Sequence, residues 1–183
     1  MAKYFTGIGD NGTTGLLGEG RVKKYDLRME TLGTLDELSA FLGFSRSICQ
    51  PEISDLIKKI QGHLYEIMSE IAATKDNQPK YRKMNESSVK FLEKAIDQFS
   101  TGITYPQGFI LPGDTQAAAA LSMSRAVCRR AERRMVELFD NDIIENIFVS
   151  IYLNRLSSLL FVLEVKESSS TNGKLSMARD SHQ

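Results

Sequence analysis

From Thr6 to Gly15 the chain reads Thr-Gly-Ile-Gly-Asp-Asn-Gly-Thr-Thr-Gly. Glycines at Gly7, Gly9, Gly12 and Gly15 let backbone N–H groups converge on an anion without side-chain obstruction, and the Thr6, Thr13 and Thr14 hydroxyls add donors. Asp10 offers a carboxylate suited to a phosphate-bound Mg²⁺, directly or through water. The segment is not a Walker A loop, because no Gly-Lys-Ser/Thr follows. It opens no strand–helix unit of the dinucleotide-binding kind either. Lys23, Lys24 and Arg28 follow closely enough to complete a phosphate site. The plainer reading is a flexible Gly-rich terminus followed by solvated surface charge.

A second constellation is Arg125-Ala-Val-Cys-Arg129-Arg130-Ala-Glu132-Arg133-Arg134. At about 100° per residue on a helix, Arg125, Arg129, Glu132 and Arg133 share a face, with Arg130 and Arg134 on the far side. Arginine suits bidentate phosphate recognition. The competing reading is a surface ladder of charges or a structural ion pair. Asp36-Glu37 reads either as helix capping or as a partner that orients an arginine. Asn154-Arg155 interrupts an apolar helix, so Asn154 is a satisfied core amide or a ligand contact. Phe109, in Phe-Ile-Leu-Pro-Gly, is a core aromatic or the wall of a large planar ligand.

Composition excludes several classes. The 183 residues suit one domain with a real core, and 23 basic residues balance 23 acidic ones. Such a chain lacks the basic footprint of a general nucleic-acid or anionic-membrane binder. Two separated cysteines, Cys49 and Cys128, make neither a disulfide scaffold nor a zinc ribbon, and His63 and His182 are too few for a histidine metal cluster. No signal-peptide core is apparent, and Ile143 to Val165 is apolar but broken by Glu145, Asn146, Asn154, Arg155 and Glu164. It reads as a buried helix rather than a membrane span, and the expected location is the cytoplasm.

These residues need elements to position them. Residues 1–25 read as a looping, partly extended arm, residues 26–166 as a helical bundle and residues 167–183 as a flexible polar tail. The expected helices begin at Asp26, or after Gly33 with a Thr34/Glu37 capping box, and end near Ser47. The others span about Ile53 to Ala73, Asn85 to Ser100, Asp114 or Thr115 to Phe139, and Asp142 (boxed with Glu145) to Lys166. Residues 74–84 read as a loop. The fold class is all-α: a five-helix up-and-down bundle of the ferritin-like kind with an irregular Gly-rich N-terminal arm.

Taken together, the segments resemble the PduO-type ATP:cob(I)alamin adenosyltransferases. The resemblance rests on TGIGDNGTTGL at Thr6 to Leu16, GTLDEL at Gly33 to Leu38, FILPG at Phe109 to Gly113, RAVCRRAER at Arg125 to Arg133 and LNRLS at Leu153 to Ser157. It covers the chain from Thr6 to about Leu163. It implies a trimer with sites between neighbouring subunits, and transfer of the 5′-deoxyadenosyl group of ATP to cob(I)alamin with release of triphosphate.

By matching position, the resemblance implies that Thr6, Gly7, Ile8, Gly9, Asp10, Thr14, Gly15, Lys24 and Arg28 bind ATP and its Mg²⁺. Arg129, Arg130, Glu132, Arg133 and Asn154 would complete that site, Arg125 and Asp36 would form the ion pair that shapes it, and Phe109 would face the corrin. Gly7-Ile8 stands where relatives carry a basic residue and Thr, and Ser158 where they carry an acid. The implied partners are ATP, cobalamin, a cobalamin reductase and a cobalamin-dependent enzyme, with no nucleic acid and no membrane. Two alternatives use the same residues: an ATP-dependent phosphotransferase, and a non-catalytic helical interaction module docking through its arginine face.

Overall fold

The computed structural model describes Phe5, residues 7–172 and residues 175–178. Its elements are β1 (Thr13–Gly15), β2 (Arg21–Lys23), α1 (Leu27–Ile48), α2 (Pro51–Ala72), the single turn α3 (Gln78–Tyr81), α4 (Glu86–Ser100), α5 (Gln116–Asp140) and α6 (Ile147–Asn172). The five long helices form the expected bundle. α1 packs between α2 and α5, α5 against α6, and α6 against α4. The arm is partly extended, as expected, with β1 and β2 paired antiparallel and Thr14 opposite Val22.

Local chemistry sets most boundaries. Asp26 caps α1 by accepting from the Arg28 amide at 2.9 Å, so the helix runs through Gly33 without a break. Asn85 caps α4 in a reciprocal box with Ser88, and Thr115, not Asp114, caps α5 through the Ala118 amide at 3.0 Å. Such caps are worth about 1 kcal/mol each. Pro51 sits in the first turn of α2, where its missing N–H is no loss.

Two boundaries depart from expectation. The Asp142/Glu145 box does not form, because Asp142 takes a left-handed φ of 54° at the α5 exit. Asn146 instead accepts from the Phe148 amide at 3.2 Å and opens α6. At its other end α6 continues past Lys166 to Asn172 with Glu167 and Ser168 buried, so residues 167–172 belong to the bundle. Residues 175–178 are not a loose tail either. Met177 bridges Ile110, the Leu111 amide donates to Ser176 O at 2.7 Å, and the Ala178 amide donates to Phe109 O at 2.8 Å.

The core runs along α6. Val149, Tyr152, Leu153, Leu156, Leu160 and Leu163 are fully buried against Leu35, Leu38, Leu42, Ile60, Leu64 and Met135. Each such side chain contributes about 1.5–3 kcal/mol relative to exposure. By length and composition alone α6 could cross a membrane (mean hydropathy 1.5 over Ile147–Ser169), but it lies at the centre of the bundle. A buried polar knot ties one end together. The Asn146 amide donates to Glu70 Oε2 at 3.0 Å, Arg82 Nε donates to Glu70 Oε1 at 3.3 Å, and Gln78 Nε2 donates to the Ile143 carbonyl at 2.7 Å.

Candidate active site

The arm is shaped by an arginine that the sequence did not single out. Arg21 donates through Nε to Thr13 Oγ1 at 2.9 Å, and through Nη2 to the Ile8 and Thr13 carbonyls at 3.2 and 3.0 Å. Gly7 and Gly12 take φ of 71° and 76°, a backbone that side-chain-bearing residues adopt at a cost. A Cβ on Gly9 would come within 3.2 Å of the Lys24 ammonium, so that cation lies directly over the loop. Asp10 and Gly15 are exposed, Thr14 is partly so, and Ile8 is 63% exposed. Thr6 lies outside the described residues. The arm is fastened to the C-terminal end of α2, with the Leu17 amide donating to Ala72 O at 2.8 Å and the Thr74 amide to Leu17 O at 3.1 Å.

The α5 arginines divide by face. Arg130 pairs with Glu37 of α1, and Arg134 pairs with Glu137 at 3.0 Å. Arg129 and Arg133 are exposed with no carboxylate partner among the described residues. Arg125 and Arg129 line a shallow cavity of about 320 Å³ with Ser157, Ser158, Phe161 and Val162 of α6. Beside it, Asn154 Nδ2 donates to Glu132 Oε1 at 2.8 Å and Asn154 Oδ1 accepts from Arg155 Nη1 at 2.9 Å, while Arg155 Nε reaches Glu93 Oε1 at 3.1 Å. Asn154 is therefore exposed and held by side chains, not a core amide.

Four expectations change. Arg28 does not present its whole guanidinium to a phosphate, because Nη1 donates to the Ile71 and Ala73 carbonyls at 3.2 and 2.6 Å, closing the α2 C-terminus. Arg130 belongs to the α1 side, away from the cavity of Arg125 and Arg129. Asp36 is exposed near the middle of α1 and caps nothing. Within one chain it does not pair with Arg125, because the antiparallel register sets Ser124 against Ser45, more than two turns further along α1. Arg125 instead donates through Nε to Glu164 Oε2 at 3.4 Å. Phe109 is 88% exposed, so the core-aromatic reading fails.

Sequence reasoning treated Glu164 only as an interruption of an apolar run. Its side chain is 1% exposed, its Oε1 has no hydrogen-bond partner among the described residues, and burial raises its pKa against the opposing pull of Ser122 and Arg125. The signal was a lone carboxylate among leucines and valines. Cys49 and Cys128 are both free, and burial pushes the Cys49 thiol up to about 12. Neither is poised as a nucleophile. The chain thus offers backbone donors and a cation on the arm, unpaired guanidinium groups on α5 and an exposed aromatic before it. That set is suited to a polyanion and a planar ligand.

Residues 4–167 match the family model described as cobalamin adenosyltransferase. A corrinoid adenosyltransferase of Bacillus subtilis is 39% identical over 87% of this chain and 83% of its own length. The corrinoid adenosyltransferase PduO of Salmonella typhimurium is 38% identical over 92% of this chain, which spans only 50% of that longer relative. Among solved structures, a Phe-to-His variant of a PduO-type ATP:corrinoid adenosyltransferase from Lactobacillus reuteri, complexed with cobalamin and ATP, superposes with TM-score 0.90 at 29% identity, covering 97% of each chain.

Proposed function

The chain belongs to the cobalamin adenosyltransferase family, and on that premise we propose that it transfers the 5′-deoxyadenosyl group of ATP to the cobalt of reduced cobalamin. The Co(I) electron pair attacks C5′ of the ribose, the cobalt–carbon bond forms as the C5′–O bond breaks, and triphosphate leaves with the bonding electrons. The nucleophile is the substrate's own, so the protein's task is to align the reactants and stabilise the leaving group's charge. One observation carries the reading. Glu37 of α1 and Glu137 neutralise Arg130 and Arg134, whereas Arg129, Arg133 and the terminal edge of Arg125 have no partner among the described residues and are open to an anion.

In this reading Gly7, Ile8, Gly9, Thr14, Gly15 and Lys24 hold the triphosphate, with Thr6 in the same stretch. Arg129 and Arg133 receive it from the helix side, and Glu132 and Asn154 fix the wall between α5 and α6. A Mg²⁺ that keeps its waters and takes phosphate oxygens needs only one or two carboxylates, and exposed Asp10 fits that need. No cluster of three His, Cys, Asp or Glu side chains among the described residues offers a dedicated cage. Bound there, the ion would neutralise phosphate charge. Exposed Phe109 faces the corrin, where its ring excludes water and a lower axial base. The arm is fastened at the α2 C-terminus, whereas Arg125 lies near Ser45 at the opposite end of α1. The family resemblance supports a site completed between copies, as a homotrimer, with Arg125 meeting Asp36 of the partner subunit. A reductase supplying Co(I) and an enzyme using the product are the protein partners this chemistry requires.

The test is product analysis with ATP and chemically reduced cobalamin. Triphosphate and adenosylcobalamin are expected in equal amounts. ADP as product would instead indicate phosphoryl transfer, and no product at all would indicate an interaction module. Arg129→Lys, which loses the planar fork, is expected to lower kcat/KM for ATP by about two orders of magnitude.

A further inference from the structure

Glu164 breaks the local rules of its helix. Its neighbours Leu163 and Val165 are fully buried, and an apolar side chain at 164 would match them. The carboxylate accepts from Arg125 Nε at 3.4 Å through Oε2, the Ser122 hydroxyl is its other polar neighbour, and Oε1 meets no geometric hydrogen bond among the described residues. A buried pair satisfied on one side recovers less than its desolvation costs, so stability does not explain it. Burial accordingly raises the carboxyl's pKa. A position that violates packing without a stabilising return points to function.

The geometry around Arg125 supplies one. Nε is the guanidinium nitrogen nearest the stem, so anchoring it sets the plane of the whole group. The Phe161 ring, 6.0 Å from the guanidinium carbon, limits its tilt. The two terminal nitrogens then have no hydrogen-bond partner among the described residues, and the side chain lies at the cavity shared with Arg129, Ser157 and Ser158. We propose that Glu164 is a positioning residue: it grips Arg125 by Nε so that the paired terminal nitrogens are presented, preset, to an oxyanion at the rim of that cavity. The oxyanion is either the triphosphate of the nucleotide or a carboxylate of a neighbouring copy. This inference rests on the adenosyl-transfer reading.

Glu164→Leu and Glu164→Gln separate the cases. Tm is expected to fall in both, less in Glu164→Gln, because the Arg125 charge loses its carboxylate, so each variant is compared only where it is folded. If the oxyanion is the nucleotide's, KM for ATP rises more than tenfold in Glu164→Leu and about fivefold in Glu164→Gln, whose neutral oxygen still accepts from Nε. If it belongs to another copy, the subunit dissociation constant rises by those factors while KM for ATP of the assembled enzyme holds. In either case Glu164→Leu adds nothing in an Arg125→Lys background, where Nε is gone. A folded variant within twofold of the unmodified protein on both measures overturns the proposal, as does simple additivity with Arg125→Lys. Should the Leu variant fail to fold, the isosteric Gln variant decides. Absence of turnover in the unmodified chain would overturn the underlying reading, and this inference with it.

Discussion

Neighbouring arginines on α5 meet opposite fates because one residue step turns the helix by about 100°. Arg130 finds Glu37 across the α1 groove, while Arg129 looks out beside α6. The same sensitivity to local surroundings governs His63, whose Nδ1 lies 2.9 Å from the hydroxyl of fully buried Tyr152 and whose ring meets Phe91 edge-on at 5.2 Å. Burial lowers its pKa below the ordinary 6.5, with Glu66 opposing. The unfolded chain then binds the proton more readily than the folded one. The stability held by neutral His63 is therefore complete above about pH 6.5 and is lost as pH falls through the lowered value. Urea unfolding of the unmodified protein and of His63→Phe, each between about pH 7 and pH 5, tests this. The unmodified protein is expected to lose more stability on acidification than the variant, and equal losses would exclude the effect.

Elements were legible where their signals are local. The apolar spacing of Ile53, Leu56, Ile57, Ile60, Leu64 and Ile67 marks α2, and all six are buried. Asn85 and Thr115 announce their helices because a cap needs only the next three residues. What stayed hidden depends on distant partners. Nothing near Arg28 shows that α2, more than forty residues later, ends with its carbonyls at that guanidinium. Nothing in the polar C-terminal composition shows that Ser176 is clasped by Asp114. Ser176 donates its amide to Oδ2 at 3.0 Å and its hydroxyl to Oδ1 at 2.6 Å, which holds the Asp114 carboxyl below its usual range. That clasp steadies the strand pairing beside Phe109. Asp114→Ala is expected to speed hydrogen exchange at the Leu111 and Ala178 amides about tenfold or more, while the global Tm moves by less than about 2 °C. Unchanged exchange at those two amides would show that the backbone pairing stands without the clasp.

At the scale of the whole molecule, the cavity of Arg125 and Arg129 lies between α5 and α6, whereas the glycine arm is anchored to the C-terminal end of α2. That separation gives the assembly a genetic signature. A chain whose arm is crippled by Gly9→Val still carries intact arginines, and one carrying Arg129→Ala still carries an intact arm. Each alone is expected to be nearly inactive. Unfolded together and reassembled at equal ratio, they should regain about a quarter of full activity, since random assortment brings a sound arm to a sound helix that often. Two broken copies would then do what neither can do alone, and a mixture as dead as its parents would show that each chain builds its site by itself.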